Sequence, residues 1–272
     1  MTPSGESRYN HRVRVTFLGT GTSNGVPVVG CSCRVCRSEN PHNHRMRSSI
    51  LIESGGTTIV VDTTPEFRLQ ALRAQITHLD AVLLTHAHAD HIHGLDDIRP
   101  FSYHAPVPLY CNRRTLSETR ERFPYIFESV SHGGGKPRID LHELNGAPFT
   151  VGEVECTPIE ILHGKMPILG YRFGSFAYIT DCSTLPAKAA AGLRGLELLV
   201  INALRYEPHP THLSVDEAVQ IISDLSPRKA FLTHLCHDVE HDQLAGDLED
   251  RLARGEIRVP VRPAYDGLSV EL

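Results

Sequence analysis

The 272-residue chain has no apolar run near the roughly 20 residues a membrane-spanning helix needs, and Met1 to Arg14 is polar, without the apolar core of a secretion signal. Both absences point to the cytoplasm and away from a membrane partner. Positive charge is also scarce. With 27 Lys and Arg against 32 Asp and Glu, the net charge of −5 provides no global basic field to hold a long nucleic acid. The seven cysteines are an odd number without a secretion signal, which argues against a disulfide framework and leaves thiols or metal ligands. Histidine, by contrast, is abundant, with 17 residues. The remaining composition, 40% hydrophobic and 22% charged, is that of an ordinary globular protein. The length allows one large domain or two fused halves.

The histidines concentrate in Thr85-His86-Ala87-His88-Ala89-Asp90-His91, directly after the β-type run Leu79 to Leu84. A strand would put residues 86, 88 and 90 on one face and turn His91 away. A loop or helix start instead fans all four around a small volume, an arrangement that suits two adjacent metal ions better than one. Imidazole and carboxylate are ligands for divalent Zn, Mn or Fe.

This run resembles the H-x-H-x-D-H signature of the metallo-β-lactamase-fold hydrolases. From Val13 to about Leu268 the chain is most similar to their phosphoribosyl cyclic phosphodiesterase branch and, more distantly, to transfer-RNA 3′-processing endonucleases. The resemblance implies an α/β fold, an αββα sandwich, as a single domain over residues 13–272 behind a polar leader at 1–12. It also implies two metal ions, with His86, His88 and His163 on the first, Asp90, His91 and His234 on the second, and Asp181 bridging with a water. Asp62, at a strand end, would orient a histidine ligand. The implied reaction is attack by a metal-bound hydroxide, which Asp90 helps to orient, on a small cyclic or nucleotide-like phosphodiester. Dimerisation is a family-level expectation.

Two further segments carry chemistry. Cys31-Ser32-Cys33-Arg34-Val35-Cys36 offers three thiols in six residues but lacks the fourth ligand of a closed zinc site. The candidate is His237, with Cys236 as a weaker alternative that a strand would turn to the opposite face. The resemblance supports Cys31, Cys33, Cys36 and His237 as a zinc knuckle holding one structural Zn. Later, Glu207 to Ser214 leads into an amphipathic helix Val215 to Leu225, with Ser214 as N-cap and Glu217 closing a capping box. The His212-Leu213-Ser214 segment is similar to one in which the histidine acts in catalysis, which makes His212 the candidate general acid. His209 reads as a solvated loop residue.

Along the rest of the chain, strands are expected at 13–18, 48–53, 57–61, 154–162, 169–173, 176–180, 196–202 and around 268–270. The glycine-rich turn Gly19 to Gly25 lets backbone pass close to the metal site. Thr64 is the expected N-cap of a helix running from Pro65 to about Gln75, and a short helix is expected at 94–101. Residues 102–140 read as the least regular part, with a helical stretch near Thr115 to Phe123, and as a lid or substrate wall beside the site, on which Arg113, Arg114 and Lys136 are solvated. Competing functions are RNA 3′-end processing, thioester or lactam hydrolysis, and a non-catalytic zinc-binding module. Asp90 together with His212 favours phosphodiesters.

Overall fold

The computed structural model describes residues 12–128 and 135–272. Its layering follows from residue alternation. In β1 (Arg14–Gly19), β2 (Ser49–Ser54) and β3 (Thr57–Val61), Val15, Phe17, Ile50, Ile52, Ile59 and Val61 belong to one buried cluster, and Leu18, Leu51 and Val60 to another. Neighbours along a strand point to opposite faces, so strands apolar at nearly every position must be covered on both sides. With β4 (Ala81–Leu83), β5 (Val107–Asn112) and β6 (Ile139–Leu144) they form the first sheet. The second sheet comprises β7 (Phe149–Val151), β8 (Val154–His163), β9 (Met166–Phe173), β10 (Phe176–Ile179), β11 (Leu198–Asn202), β12 (Lys229–Thr233) and β13 (Val261–Pro263). β14 (Ser269–Glu271) returns to pair with β1.

The sheets face each other. Phe176, Tyr178, Leu198 and Val200 join the inner cluster of the first sheet, while their neighbours Ala177, Ile179, Leu199 and Ile201 point outward. Helices cover both outer faces. α1 (Phe67–Arg73), α2 (Ala89–Ile92), α3 (Arg113–Arg122) and α4 (Pro124–Phe127) contribute to the cover of the first sheet. α5 (Ala187–Gly192), α6 (Val215–Leu225) and α7 (His241–Ala253) cover the second. The result is an αββα sandwich. Among the described residues, no helix is long and apolar enough to cross a membrane.

Three sequence expectations change. The described residues of 102–140 are more regular than expected: the helical stretch near Thr115 to Phe123 is α3, and β5 and the start of β6, which extend the first sheet, accompany it together with α4. Pro108 disguised β5, because proline argues against a strand with neighbours on both sides. α1 begins at Phe67, not Pro65. The Thr64 hydroxyl donates to the Gln70 side chain (2.9 Å) and its carbonyl accepts from Phe67 N–H (2.8 Å), which leaves residues 65–66 in a turn. The helix expected at 94–101 is a 3-10 helix, Leu95–Ser102, with Pro100 inside it, and proline lacks the N–H an α-helix requires there. Residues 1–11 of the polar leader and 131–134 of the glycine-rich segment lie outside the described residues.

Candidate active site

In each sheet one half is parallel, β3 to β6 and β10 to β13, and the carboxyl ends of parallel strands are where α/β sheets bind ligands. Asp62 follows β3, Thr85 and His86 follow β4, His163 ends β8, Asp181 follows β10 and His234 follows β12. Asp62, Asp181 and His234 adopt left-handed backbone, with φ of 66°, 57° and 58°. Such conformations cost non-glycine residues about 1–3 kcal/mol each and cluster where function requires them. Here each turns a strand end sharply at the site. The two sheets are also tied at this edge: Leu169 N–H donates to the Thr85 carbonyl (3.0 Å) and the Tyr171 hydroxyl to the Leu84 carbonyl (2.7 Å).

The imidazoles are held from behind. Asp62 accepts from Thr85 N–H (2.8 Å), the Thr85 hydroxyl (2.8 Å) and His91 Nδ1 (2.7 Å). His163 Nδ1 donates to the Thr211 carbonyl (2.8 Å). His234 Nδ1 lies 3.2 Å from the Ser48 hydroxyl, and His86 Nδ1 lies 3.0 Å from that of Thr85. A hydrogen bond at Nδ1 fixes the tautomer and leaves Nε2 as the coordinating atom. Of these partners only Asp62 was legible in the sequence. Ser48, Thr85 and Thr211 carry no local signal, because their partners are distant in sequence or backbone atoms.

The free nitrogens converge. His86 Nε2 lies 2.9 Å from His88 Nδ1, and ligand atoms of His86, His88 and His163 all lie within 4.8 Å of one another. On the other side, His91 Nε2 sits 3.2 Å from an oxygen of Asp90 and 3.2 Å from one of Asp181, while His234 Nε2 is 3.3 Å from the other Asp181 oxygen. Buried His91 Nε2 makes a hydrogen bond with neither carboxylate. A cation placed among the three would satisfy an atom that is otherwise costly to bury. The seven residues read from the sequence as ligands therefore meet in one place, and their chemistry fits divalent ions.

Electrostatics agree with this fit. Burial, reinforced by neighbouring imidazoles, pushes His86, His88 and His234 below the usual histidine range and so keeps them neutral as ligands. Burial opposes ionisation of Asp90 and Asp181, but His91 and His234 outweigh it and hold both carboxyls below their ordinary value. His91 is the exception: burial disfavours its charge, yet Asp90, Asp181 and Asp62 drive it well above the usual range. Three carboxylates around one buried ring demand positive charge at that point.

His212 lies at the rim, its Nδ1 3.8 Å from Asp181 and without a hydrogen-bond partner. Burial, with His234, pushes it down to about 3. Ser214 and Glu217 form the expected capping box behind it. A cavity of about 220 Å³ opens beside it, lined by residues including Thr22, Asn24, Arg205, His209 and His237. His209 is thus a wall of the site, with its ring centroid 5.2 Å from that of His212, and not simply a solvated loop residue. The glycine-rich turn lies as expected, placing the Thr22 hydroxyl 3.2 Å from His234 Nε2, and a Cβ on Gly19 would collide with the Arg47 carbonyl. The end of α3 borders the opposite side, where Arg122 donates to the Ala87 carbonyl (2.6 Å). Arg114 pairs with Glu118 on the exposed face of α3, as a solvated-face reading requires, and Lys136 donates to the Glu128 carbonyl.

A second cluster stands beyond the cavity. His237 Nδ1 lies 3.3, 3.5 and 3.6 Å from the sulfurs of Cys31, Cys33 and Cys36. Bonds of about 2.3 Å to sulfur and about 2.0 Å to nitrogen at tetrahedral angles give ligand separations of roughly 3.5 Å. The spacing therefore fits one tetrahedral ion. Cys236 turns away to Asp238 (3.5 Å). The Cys36 N–H bond to its sulfur, aided by His237, lowers Cys33 to about 6, whereas burial raises Cys36 to about 11.

Comparison with known proteins agrees with this geometry. A crystal structure of a new diphosphatase from the PhnP family matches with a TM-score of 0.86 and 39% identity, covering 96% of this chain and 97% of that one. The Zn(2+)-bound PqqB of Methylobacterium extorquens shares the fold, with a TM-score of 0.76 at 18% identity, covering 95% and 100% of the two chains. The octanoyltransferase of Porphyromonas gingivalis is 42% identical over 228 residues, 83% of this chain and 46% of that protein, so this chain spans about half of that relative's length. The family model of the β-lactamase superfamily domain matches residues 57–235. With that match, and a site assembled on the same sandwich, the chain belongs to the β-lactamase superfamily, as a metallo-β-lactamase-fold hydrolase near the PhnP branch.

Proposed function

We propose that this hydrolase is a binuclear metal-dependent phosphodiesterase acting on a small cyclic or nucleotide-like phosphodiester. The observation that carries the reading is the convergence of free imidazole nitrogens and two ionised carboxylates on one point, next to a cavity of about 220 Å³. His86, His88 and His163 would hold one divalent ion, Asp90, His91 and His234 the other, with Asp181 between them. Zn and Mn suit these ligands, as does Fe; the thiolate-rich Cys31, Cys33, Cys36 and His237 set suits a structural Zn. Ions held by these residues would supply an acidified water as nucleophile and positive charge to offset the negative charge on the reacting oxygens.

The chain's own groups do the rest. Asp90 accepts a hydrogen bond from the attacking water and aims it. His212 faces the leaving oxygen, which needs a proton. Burial keeps this imidazole neutral in the free protein, and the negative charge of a bound phosphodiester opposes that shift, so the proton is recruited together with the substrate. The PhnP-family neighbour is described as a diphosphatase, which makes phosphoanhydride cleavage the second reading, and Arg205 adds a positive charge to the cavity wall, its guanidinium held by the Glu207 and Pro208 carbonyls.

The test is hydrolysis by metal-stripped protein resupplied with Mn or Zn. The substrates are bis-p-nitrophenyl phosphate, a 2′,3′-cyclic nucleotide, a ribose cyclic phosphate, a nucleoside diphosphate and an acyl thioester. His212→Ala is expected to cost about 10²–10⁴-fold on unactivated esters and far less on p-nitrophenyl esters, whose leaving group needs little protonation. Equal losses on both would remove the acid role. Turnover of the thioester alone would overturn the phosphodiesterase.

A further inference from the structure

Outside the active site and the cysteine cluster, two short segments place three more donor groups together. His42 lies in the 3-10 turn Pro41–Asn43, and His241 and Asp242 begin α7. One ligand atom from each lies within 4.8 Å of the other two. The His42 and His241 rings are 4.6 Å apart, and Tyr265 stacks on His42 at 4.0 Å and meets His241 edge-on at 5.8 Å. His241 is only 7% exposed, and its Nδ1, sealed from solvent, has no hydrogen-bond partner. Asp242 accepts from the Asn40 side chain (3.0 Å), which fixes the carboxylate beside the rings.

Buried polar atoms are almost always satisfied, and a buried histidine with an orphaned ring nitrogen, grouped with a second histidine and an oriented carboxylate, has the donor set of a divalent-ion site. We propose that His42, His241 and Asp242 bind a further divalent transition ion such as Zn, separate from the cysteine cluster and from the active site. Three protein ligands leave the remaining positions to water. The ion would link the turn at 41–43, which follows Cys36, to the start of α7, which follows His237. Its role is structural: it fastens the loop that carries the knuckle.

The experiment uses the metal-loaded full chain. After equilibrium dialysis against zinc, wild-type protein should hold one more ion per chain than Asp242→Ala or His42→Ala, and added zinc should raise the melting temperature of the wild type alone. Both side chains are partly or fully exposed, and hydrolytic activity should remain unchanged in both variants, which serves as the control for folding. Equal metal content and equal zinc-dependent melting shifts in all three proteins would overturn the proposal. So would loss of the ion in only one variant together with loss of activity.

Discussion

Cys31, Cys33 and Cys36 come from one loop and meet a single remote partner, His237, whereas the seven candidate ligands of the active site come from four strand ends in two sheets. In the first cluster the three sulfurs converge on a single imidazole nitrogen at 3.3–3.6 Å. In the second, each of four imidazoles is tied at Nδ1, its free nitrogen faces inward, and a cavity lies alongside. A closed set of ligands stabilises a fold, while an open one leaves room for a reacting molecule. The contrast implies that the two clusters respond differently to damage.

The largest effect is expected from Asp181→Ala. Removing the carboxylate between His91 and His234 should abolish metal-dependent hydrolysis, well beyond the ~10–100-fold typical of losing an outlying partner. The protein should keep its cysteine-bound ion, which metal analysis would reveal. His237→Ala should do the reverse. The knuckle closes loops of more than 200 residues, from a sequence separation of 206 at Cys31 to 201 at Cys36, and a crosslink of that reach contributes about 3–5 kcal/mol. Denaturant unfolding should register that loss, while the remaining folded fraction keeps metal-dependent hydrolysis that Asp181→Ala lacks.

Asp62→Asn sharpens the comparison from inside the active site. An amide N–H opposite His91 Nδ1 pushes the ring toward the wrong tautomer, with the proton on Nε2. A drop of about 10–100-fold in affinity for the second ion and in activity is expected, with the cysteine cluster unaffected. Equal metal affinity in the variant would show that Asp62 supports the strand end rather than the ligand.

The smallest effect concerns pH. Glu240, which caps α7, is pushed up by burial, but hydrogen bonds from the Asn43 side chain and from the Gln243 and Asp242 N–H groups outweigh this and hold it below the ordinary value. A carboxyl whose folded pKa is depressed stabilises the fold above the unfolded value of about 4.3, and that contribution disappears as pH falls through the folded value. Glu240→Gln should therefore flatten the acid side of the melting-temperature profile by under about 1 kcal/mol, since the group is largely solvated. A profile parallel to wild type would place the acid sensitivity elsewhere.

The local patterns were legible in the sequence because their chemistry is local. His86, His88, Asp90 and His91 declare a metal site through spacing alone, as do the three thiols of the knuckle, and Ser214 with Glu217 marks a helix start within four residues. His163, Asp181, His234 and His237 became ligands only through family resemblance, since a single histidine or aspartate at a strand end carries no signal. The tertiary structure decided what depends on remote approach: which imidazole Asp62 holds, Ser48 and Thr211 fixing two tautomers, Arg205 and His209 walling the cavity, and His42 meeting His241. It also decided that β5 and β6 extend the first sheet, because β5 has neighbours on both sides despite the proline within it. Spacing along a chain specifies which groups can share an ion, but only packing of the two sheets specifies which groups stand behind them.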